Sequence, residues 1–272
     1  MIPVQFGYRR ASSVDEALAL LAEHGDDAKL LAGGHSLLPL MKLRLAAPEV
    51  LVDIAPVEEL HHVRIDGEDV VIGALARYHD LQGDEVLREH APLLAHVAGV
   101  VGDQQVRHRG TIGGSIAHAD PAADLPAAIL ASDAVLVARG QEGERRIPAA
   151  DFFLGPFTTS LTPEELLTEI RVPRQTGLGW GFEKFTRRAI DWAIVGVAVS
   201  GKRVGLINMG GTPVRASAAE EALARGASVA EAAELAAEGT SPPDEPHATT
   251  EYRRHLARVL TARALETSAG SR

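Results

Sequence analysis

The chain of 272 residues contains no cysteine. That excludes disulfides, thiolate nucleophiles, cysteine-ligated zinc, and any iron–sulfur cluster held by cysteines of this chain. Its redox compartment therefore leaves no mark in the sequence. Cations are in deficit: Lys plus Arg total 27 against 37 Asp plus Glu, a formal net charge of −10. A nucleic-acid backbone needs clustered cations to neutralise its phosphates, so that class of ligand is set aside. No apolar run approaches the ~20 residues of a membrane span. The opening stretch MIPVQFGYRR has no apolar signal core, so the expectation is a soluble chain of the cytoplasm. Aromatics are few, while alanine and glycine are abundant, and nothing in the composition suggests disorder. At ~150 residues per domain, the length allows one large domain or two modest ones, each with a real core.

What is present begins with a helix signal. Ser13 and Glu16 read as a capping box, with Val14, Ala17, Leu18 and Leu21 on one apolar face and Gly25 at the stop. Residues 28–32 form a short apolar run that enters Gly33-Gly34, as a buried strand enters a turn. A short helix at 37–45 then has Pro39 in its first turn. Strands are predicted at 50–54 and 70–73, and a largely helical stretch at 78–101, broken near Gly83 and Pro92. Residues 104–126 carry Gly110, Gly113, Gly114, Asp120, Pro121, Asp124 and Pro126 and read as a long functional loop. Strands follow at 134–138 and 166–172, the second with a period of two. Near Pro173 the pattern changes to strands at 181–186, 194–200 and 203–209, with a tight hairpin at Gly201-Lys202. Helices at 216–224, 229–237 and 250–267 complete a small α+β unit. No repeat of solenoid length is present.

Two glycine turns carry the chemistry. One is Ala32-Gly33-Gly34-His35-Ser36, at the end of an apolar run; the other is Thr111-Ile112-Gly113-Gly114-Ser115. Paired glycines let backbone N–H groups crowd an anion without interference from a Cβ, and they permit positive φ. Hydroxyls at Ser36, Thr111 and Ser115 add donors. Two such turns converging on a diphosphate make physical sense. Neither has Walker or Rossmann spacing, and two ordinary tight turns are the other reading.

At these residues the chain resembles a family. LAGGHSLLPLMKLRLAAPEVLVDI together with RGTIGGSIAHADPAADLPA resembles the FAD-binding subunits of the molybdenum hydroxylases, in particular those of the carbon monoxide dehydrogenase type. The same architecture forms a central segment of xanthine dehydrogenases. The resemblance runs essentially the whole length of the chain. It implies an α+β fold: a two-lobed FAD-binding domain of the p-cresol methylhydroxylase type at 1–173, with lobes at about 1–55 and 56–173. A C-terminal domain at 174–272 would hold a three-stranded antiparallel sheet and a helical bundle. Carried over residue by residue, Ala32, Gly33, Gly34, His35 and Ser36 would wrap the FAD diphosphate. Thr111, Ile112, Gly113, Gly114 and Ser115 would approach it from the other lobe. Asp124 falls where the family places a carboxylate near the adenosine ribose, and Lys184 where a lysine lies near the flavin. Trp192, after Asp191, stands where carbon monoxide dehydrogenases resemble Asp-Tyr, beside the isoalloxazine. Ser115 departs from the Asn of many relatives.

Each residue also has a plain reading. Asp120 is a turn former and His118 structural. His61-His62 has no third ligand near it in sequence, and no metal site is expected. Lys184 reads equally as a surface lysine. Arg107, His108 and Arg109 form a basic run that reads either as a solvated face or as support for diphosphate charge. The arginines of the C-terminal helix read as packing and solubility. No side chain is expected to act as a catalyst. The resemblance implies an electron-transfer subunit whose FAD takes electrons from two [2Fe–2S] clusters of a small partner. A large partner with the molybdenum cofactor would oxidise the substrate, carbon monoxide with water giving carbon dioxide, and an external acceptor would receive the electrons. It further implies a dimer of heterotrimers, with no nucleic acid and no membrane insertion, lying peripherally at the inner membrane face through the complex. The alternatives are the flavin subunit of a xanthine, N-heterocycle or aldehyde dehydrogenase, a stand-alone flavoprotein oxidase, and a binding module with structural turns.

Overall fold

The computed structural model describes residues 2–271. Its first lobe is a three-stranded parallel sheet, ordered Gly7–Arg10, Val50–Asp53, Ala28–Leu31. The helix Val14–His24 covers it, burying Val14, Ala17, Leu18 and Leu21. Ser13 caps that helix by accepting from the Glu16 amide at 3.1 Å. The return half of the box goes elsewhere: the Glu16 carboxylate accepts from the Ser12 amide and hydroxyl at 2.7 and 2.6 Å. A complete capping box forms instead at Ser228 and Glu231.

The second lobe is a five-stranded antiparallel sheet. Its order is Val63–Asp66, Asp69–Gly73, Leu166–Pro173, Val135–Gly140, Gly143–Pro148. Leu166–Pro173 is central, and both faces are buried, so its alternation does not separate core from solvent. Arg171 is 9% exposed and reaches Asp66 at 2.7 Å and Asp69 at 3.2 Å. Three helices, Tyr78–Gly83, Glu85–His90 and Pro92–Val100, form the stretch expected as helix broken near Gly83 and Pro92. The two lobes share packing: Leu75 and Leu166 from the second belong to the core of the first.

Residues 104–126 differ from the predicted loop. They fold as Gln104–Arg107, Ile112–His118 and the start of Asp124–Ala131, a helix buried along its whole length. Glycine and proline density hid this, because both are poor helix formers away from a special packing need. At Gly113 the need is visible: a Cβ there would overlap the Cβ and backbone of Ala74.

The C-terminal unit has three long antiparallel strands, Trp180–Phe185, Val195–Ser200 and Arg203–Ile207, plus the two-residue strand Val214–Arg215. Gly201 turns the predicted hairpin with φ of +61°. The helices Ser217–Ala224, Val229–Glu234 and Thr250–Gly270 pack on this sheet through an alanine- and valine-rich core. Thr250–Gly270 lies so close to Trp180–Phe185 that a Cβ on Gly181 would run into the Ala264 carbonyl.

Candidate functional site

The first glycine turn lies half-buried between Ala28–Leu31 and the helix Leu37–Lys42. Its carbonyls are engaged: Gly34 accepts from Leu38 at 3.1 Å and Ser36 from Leu40 at 3.2 Å. Its amides are not. The N–H groups of Ala32, Gly33, Gly34, His35 and Ser36 donate to no protein acceptor. Gly34, at φ +75°, bends the run into a concave row. Successive unpaired amides in such a turn make an anion-binding nest.

The second turn is built differently. It is the first turn of Ile112–His118, and Thr111 is its N-cap, with Oγ1 accepting from the Gly114 amide at 3.2 Å. Ile112 donates to Ala76 at 3.0 Å, Gly113 to Ala74 at 2.8 Å, and Ser115 to Thr111 at 3.1 Å. No amide from 112 to 115 is left for a ligand. What this turn can present is the Thr111 amide and the hydroxyls of Thr111 and Ser115.

The two turns meet. A Cβ on Gly33 would overlap the carbonyl of Arg109, so only glycine lets the first turn close on the segment leading to the second. The position of a Cβ on Gly114 lies 3.9 Å from the Ala32 methyl. Ala32, Thr111, Arg77 and Arg109 line one cleft between the lobes. His35 is exposed at its edge.

Behind the second turn sits a charged pair. Asp124, 4% exposed at the start of its helix, accepts from the Lys184 ammonium at 2.7 Å. Lys184 arrives on Trp180–Phe185, so the ion pair ties the second lobe to the C-terminal sheet. Lys184 is thus neither a surface lysine nor free to be an isolated cation. Burial pushes the Asp124 carboxyl above its ordinary range, and Lys184 pulls it back. Its Oδ1 is buried without a hydrogen-bond partner. A buried carboxylate oxygen left unpaired costs about 1–3 kcal/mol or more, so it calls for a donor. Tyr78 lies alongside: burial pushes its phenol up to about 12, with Ser115 opposing and the charge of Asp124 adding.

Trp192 stands apart from both turns. It is 59% exposed on the rim of an open cavity of about 460 Å³. Asp120, Arg187, Asn208, Glu245 and His247 share that wall. Asp120 also forms its turn, accepting from the Ala122 amide at 2.9 Å. Segment 120–124 therefore joins this cavity to the Asp124–Lys184 pair. His118 packs on Phe157, ring centroids 5.1 Å apart. His61 and His62 diverge, with Nε2 of the first on the Ala55 carbonyl and Nδ1 of the second on that of Glu59.

Sequence reading missed three contributors. Asn208, at φ +60°, donates from Nδ2 to Ala193 and from its amide to Pro121, closing the cavity floor. It precedes a third Gly-Gly pair, Gly210-Gly211, which was the available signal. Arg253, read as surface packing, is 0% exposed and bonds the Ile194 carbonyl, the Ala248 carbonyl and the Glu245 carboxylate. It fixes the two segments that carry Trp192 and His247, and nothing in a lone arginine on an alanine-rich helix announces that. Arg77 gave no signal at all.

A dinucleotide such as FAD fits this donor set. The unpaired amides at 32–36 suit a diphosphate, and the orphaned Oδ1 of Asp124 suits a hydroxyl donor such as a ribose.

Comparison with known proteins agrees. Residues 4–175 match the family described as the FAD binding domain in molybdopterin dehydrogenase, and 180–268 match the CO dehydrogenase flavoprotein C-terminal domain. The carbon monoxide dehydrogenase medium chain of Hydrogenophaga pseudoflava is 43% identical, over 97% of each chain. The 6-hydroxypseudooxynicotine dehydrogenase complex subunit alpha of Paenarthrobacter nicotinovorans is 39% identical, over 97% of this chain and 95% of that one. Among solved structures, the carbon monoxide dehydrogenase from H. pseudoflava that lacks the Mo-pyranopterin moiety superposes with a TM-score of 0.96. It shares 44% identity and covers 100% of this chain and 99% of that one.

Proposed function

The chain belongs to the family of FAD-binding chains of molybdopterin dehydrogenases, and on that premise we propose that it is the flavin subunit of a carbon monoxide dehydrogenase. The observation that carries this reading is the match over 97% of both chains to a carbon monoxide dehydrogenase medium chain. It is an oxidoreductase subunit with FAD as its own cofactor. A large partner with the molybdenum cofactor converts carbon monoxide and water to carbon dioxide, two protons and two electrons. A small partner with two [2Fe–2S] clusters passes the electrons on. The absence of cysteine from this chain puts those clusters in a partner. The assembly is a dimer of heterotrimers. Among the described residues no helix is long and apolar enough to cross a membrane, and the complex lies peripherally at the inner membrane face.

When bound, FAD accepts electrons from the clusters and delivers them to an external acceptor. The protein's part is binding and orientation. The amides of Ala32, Gly33, Gly34, His35 and Ser36 hold diphosphate oxygens. Thr111 and Ser115 contribute hydroxyls from the facing lobe, while Ile112, Gly113 and Gly114 set the helix that aims them. Asp124 accepts from a ribose hydroxyl through Oδ1. Lys184 holds that carboxyl in place and opposes the upward push of burial on it. Trp192 covers the flavin end at the open cavity. No side chain here moves a proton in the substrate reaction.

The test is an anaerobic visible spectrum of the chain purified with its partners, before and after carbon monoxide. Bleaching of flavin and cluster bands is expected. Bleaching by dithionite but not by carbon monoxide, in a complex with an intact molybdenum centre, moves the substrate to an N-heterocycle or aldehyde. No flavin band after FAD is supplied overturns the cofactor reading.

A further inference from the structure

We propose that Arg77 and Arg109 form the cationic wall of the diphosphate cradle, facing the unpaired amides of residues 32–36 across the cleft. The proposal rests on the FAD reading above and adds to it the residues that carry the opposing charge.

Three observations point there. Both side chains line the small cleft that also holds Ala32 and Thr111. Neither guanidinium pairs with a carboxylate or a carbonyl among the described residues. Both stay free of partners in a chain of net charge −10, Arg77 half-buried and Arg109 exposed. Arg145, Arg171 and Arg215, by contrast, each close on a carboxylate at 2.6–2.7 Å. Lastly, both arginines spring from backbone already fixed against the two turns. Arg77 is bridged to Thr111, the amide after it takes the Gly110 carbonyl at 3.1 Å, and the carbonyl of Arg109 abuts Gly33.

The need for such a wall follows from the second turn. Its amides from 112 to 115 are all engaged. Of the second turn's backbone donors, only the Thr111 amide is left for a diphosphate. The second lobe must answer chiefly with side chains, and hydroxyls carry no charge. A guanidinium presents a planar fork of donors that matches two phosphate oxygens at once, and charge-assisted bonds of that kind are about twice as strong as neutral ones. The one diphosphate would then lie between dipoles on one side and full charges on the other. Arg109 lies in the basic run noted in the sequence. Arg77 lies outside it and is brought there only by the fold.

The test uses the full-length chain and two probes, FAD and riboflavin, the latter lacking the diphosphate. Flavin fluorescence gives each Kd across a sodium chloride series up to about 0.5 M, where screening is strong. For R77Q and for R109Q the FAD Kd is expected to rise about tenfold (about 1.4 kcal/mol). The salt dependence of binding should flatten, and riboflavin binding should match the unsubstituted chain. R77K should recover part of the loss and all of the salt dependence. Unchanged FAD Kd and salt dependence in both glutamine variants would overturn the proposal while leaving the FAD reading intact. So would equal losses for FAD and riboflavin, which mark a general disturbance. Should either glutamine variant misfold, the methionine variant at that position takes its place: a raised FAD Kd with a flattened salt slope is expected, and a Kd and slope equal to the parent's overturn the proposal. A parent chain that takes up no FAD overturns the reading beneath.

Discussion

The two glycine turns look alike on paper and are opposites in space. At 32–36 the glycines leave five backbone amides without partners, bent into a concave row. At 111–115 the glycines serve packing: Gly113 lets a helix lie on Ala74, and every amide from 112 to 115 is engaged. The first turn offers backbone and the second chiefly side chains. The same dipeptide thus answers two demands, donor exposure and close approach, and only the neighbours decide which.

The comparison can be broken at four points. The largest effect is expected at the side-chain half. Lys184→Met leaves Asp124 buried and unpaired, a loss of about 3–5 kcal/mol at neutral pH, read from urea denaturation at constant m-value. Burial holds the folded-state carboxyl above its ordinary 3.8. The folded state then binds the extra proton, so the penalty grows as pH rises from 3.8 through the raised value and vanishes below 3.8. A penalty independent of pH would show that the carboxyl is not the seat of the loss. Next comes Gly113→Val, which forces the helix off Ala74 and destabilises the chain by about 3 kcal/mol. Thermal unfolding should shift together with it. At the first turn, Gly33→Ala should act on the ligand instead. Its Cβ meets the Arg109 carbonyl, which holds the lobes apart. FAD affinity should fall about a hundredfold, about 2.8 kcal/mol, with the circular dichroism spectrum unchanged. If Gly33→Ala instead lowers the unfolding midpoint and leaves FAD affinity unchanged, the two turns play the same role. The smallest effect is Thr111→Ala, which removes an N-cap worth about 1 kcal/mol. FAD retention should suffer less than from Gly33→Ala.

Much of this was legible in the chain. Period and punctuation located the strands 50–53, 69–73 and 195–200 to within a residue or two, because their apolar runs are short and bounded by turn residues. The strand Gly143–Pro148 was not visible, since GERRIP is polar on an exposed edge and shows no buried face. The helical character of 111–118 and 124–131 was hidden by glycine and proline, whose presence there reflects backbone contact with Ala74 and a buried first turn. Both glycine motifs stood out as sites. Their division of labour did not, because a free amide and a bonded one are spelled by the same letters. Asp124 and Lys184 were each singled out, yet 60 positions separate them. No local pattern pairs residues at that distance. Arg253 failed for a related reason: its partners are carbonyls at 194 and 248 and a carboxylate at 245, and carbonyls carry no sequence signature.

The Asp124–Lys184 pair also constrains the order of events during synthesis. The acid leaves the ribosome 60 residues before its base. Until then the lobe holding the second turn contains a carboxyl that burial alone would leave protonated or keep wet. The strand that brings Lys184 is itself pressed between its sheet and the helix Thr250–Gly270, the last element described. The lobe that carries the second glycine turn thus finds the partner of its buried carboxyl only in the C-terminal unit, and the pair couples the stability of the two.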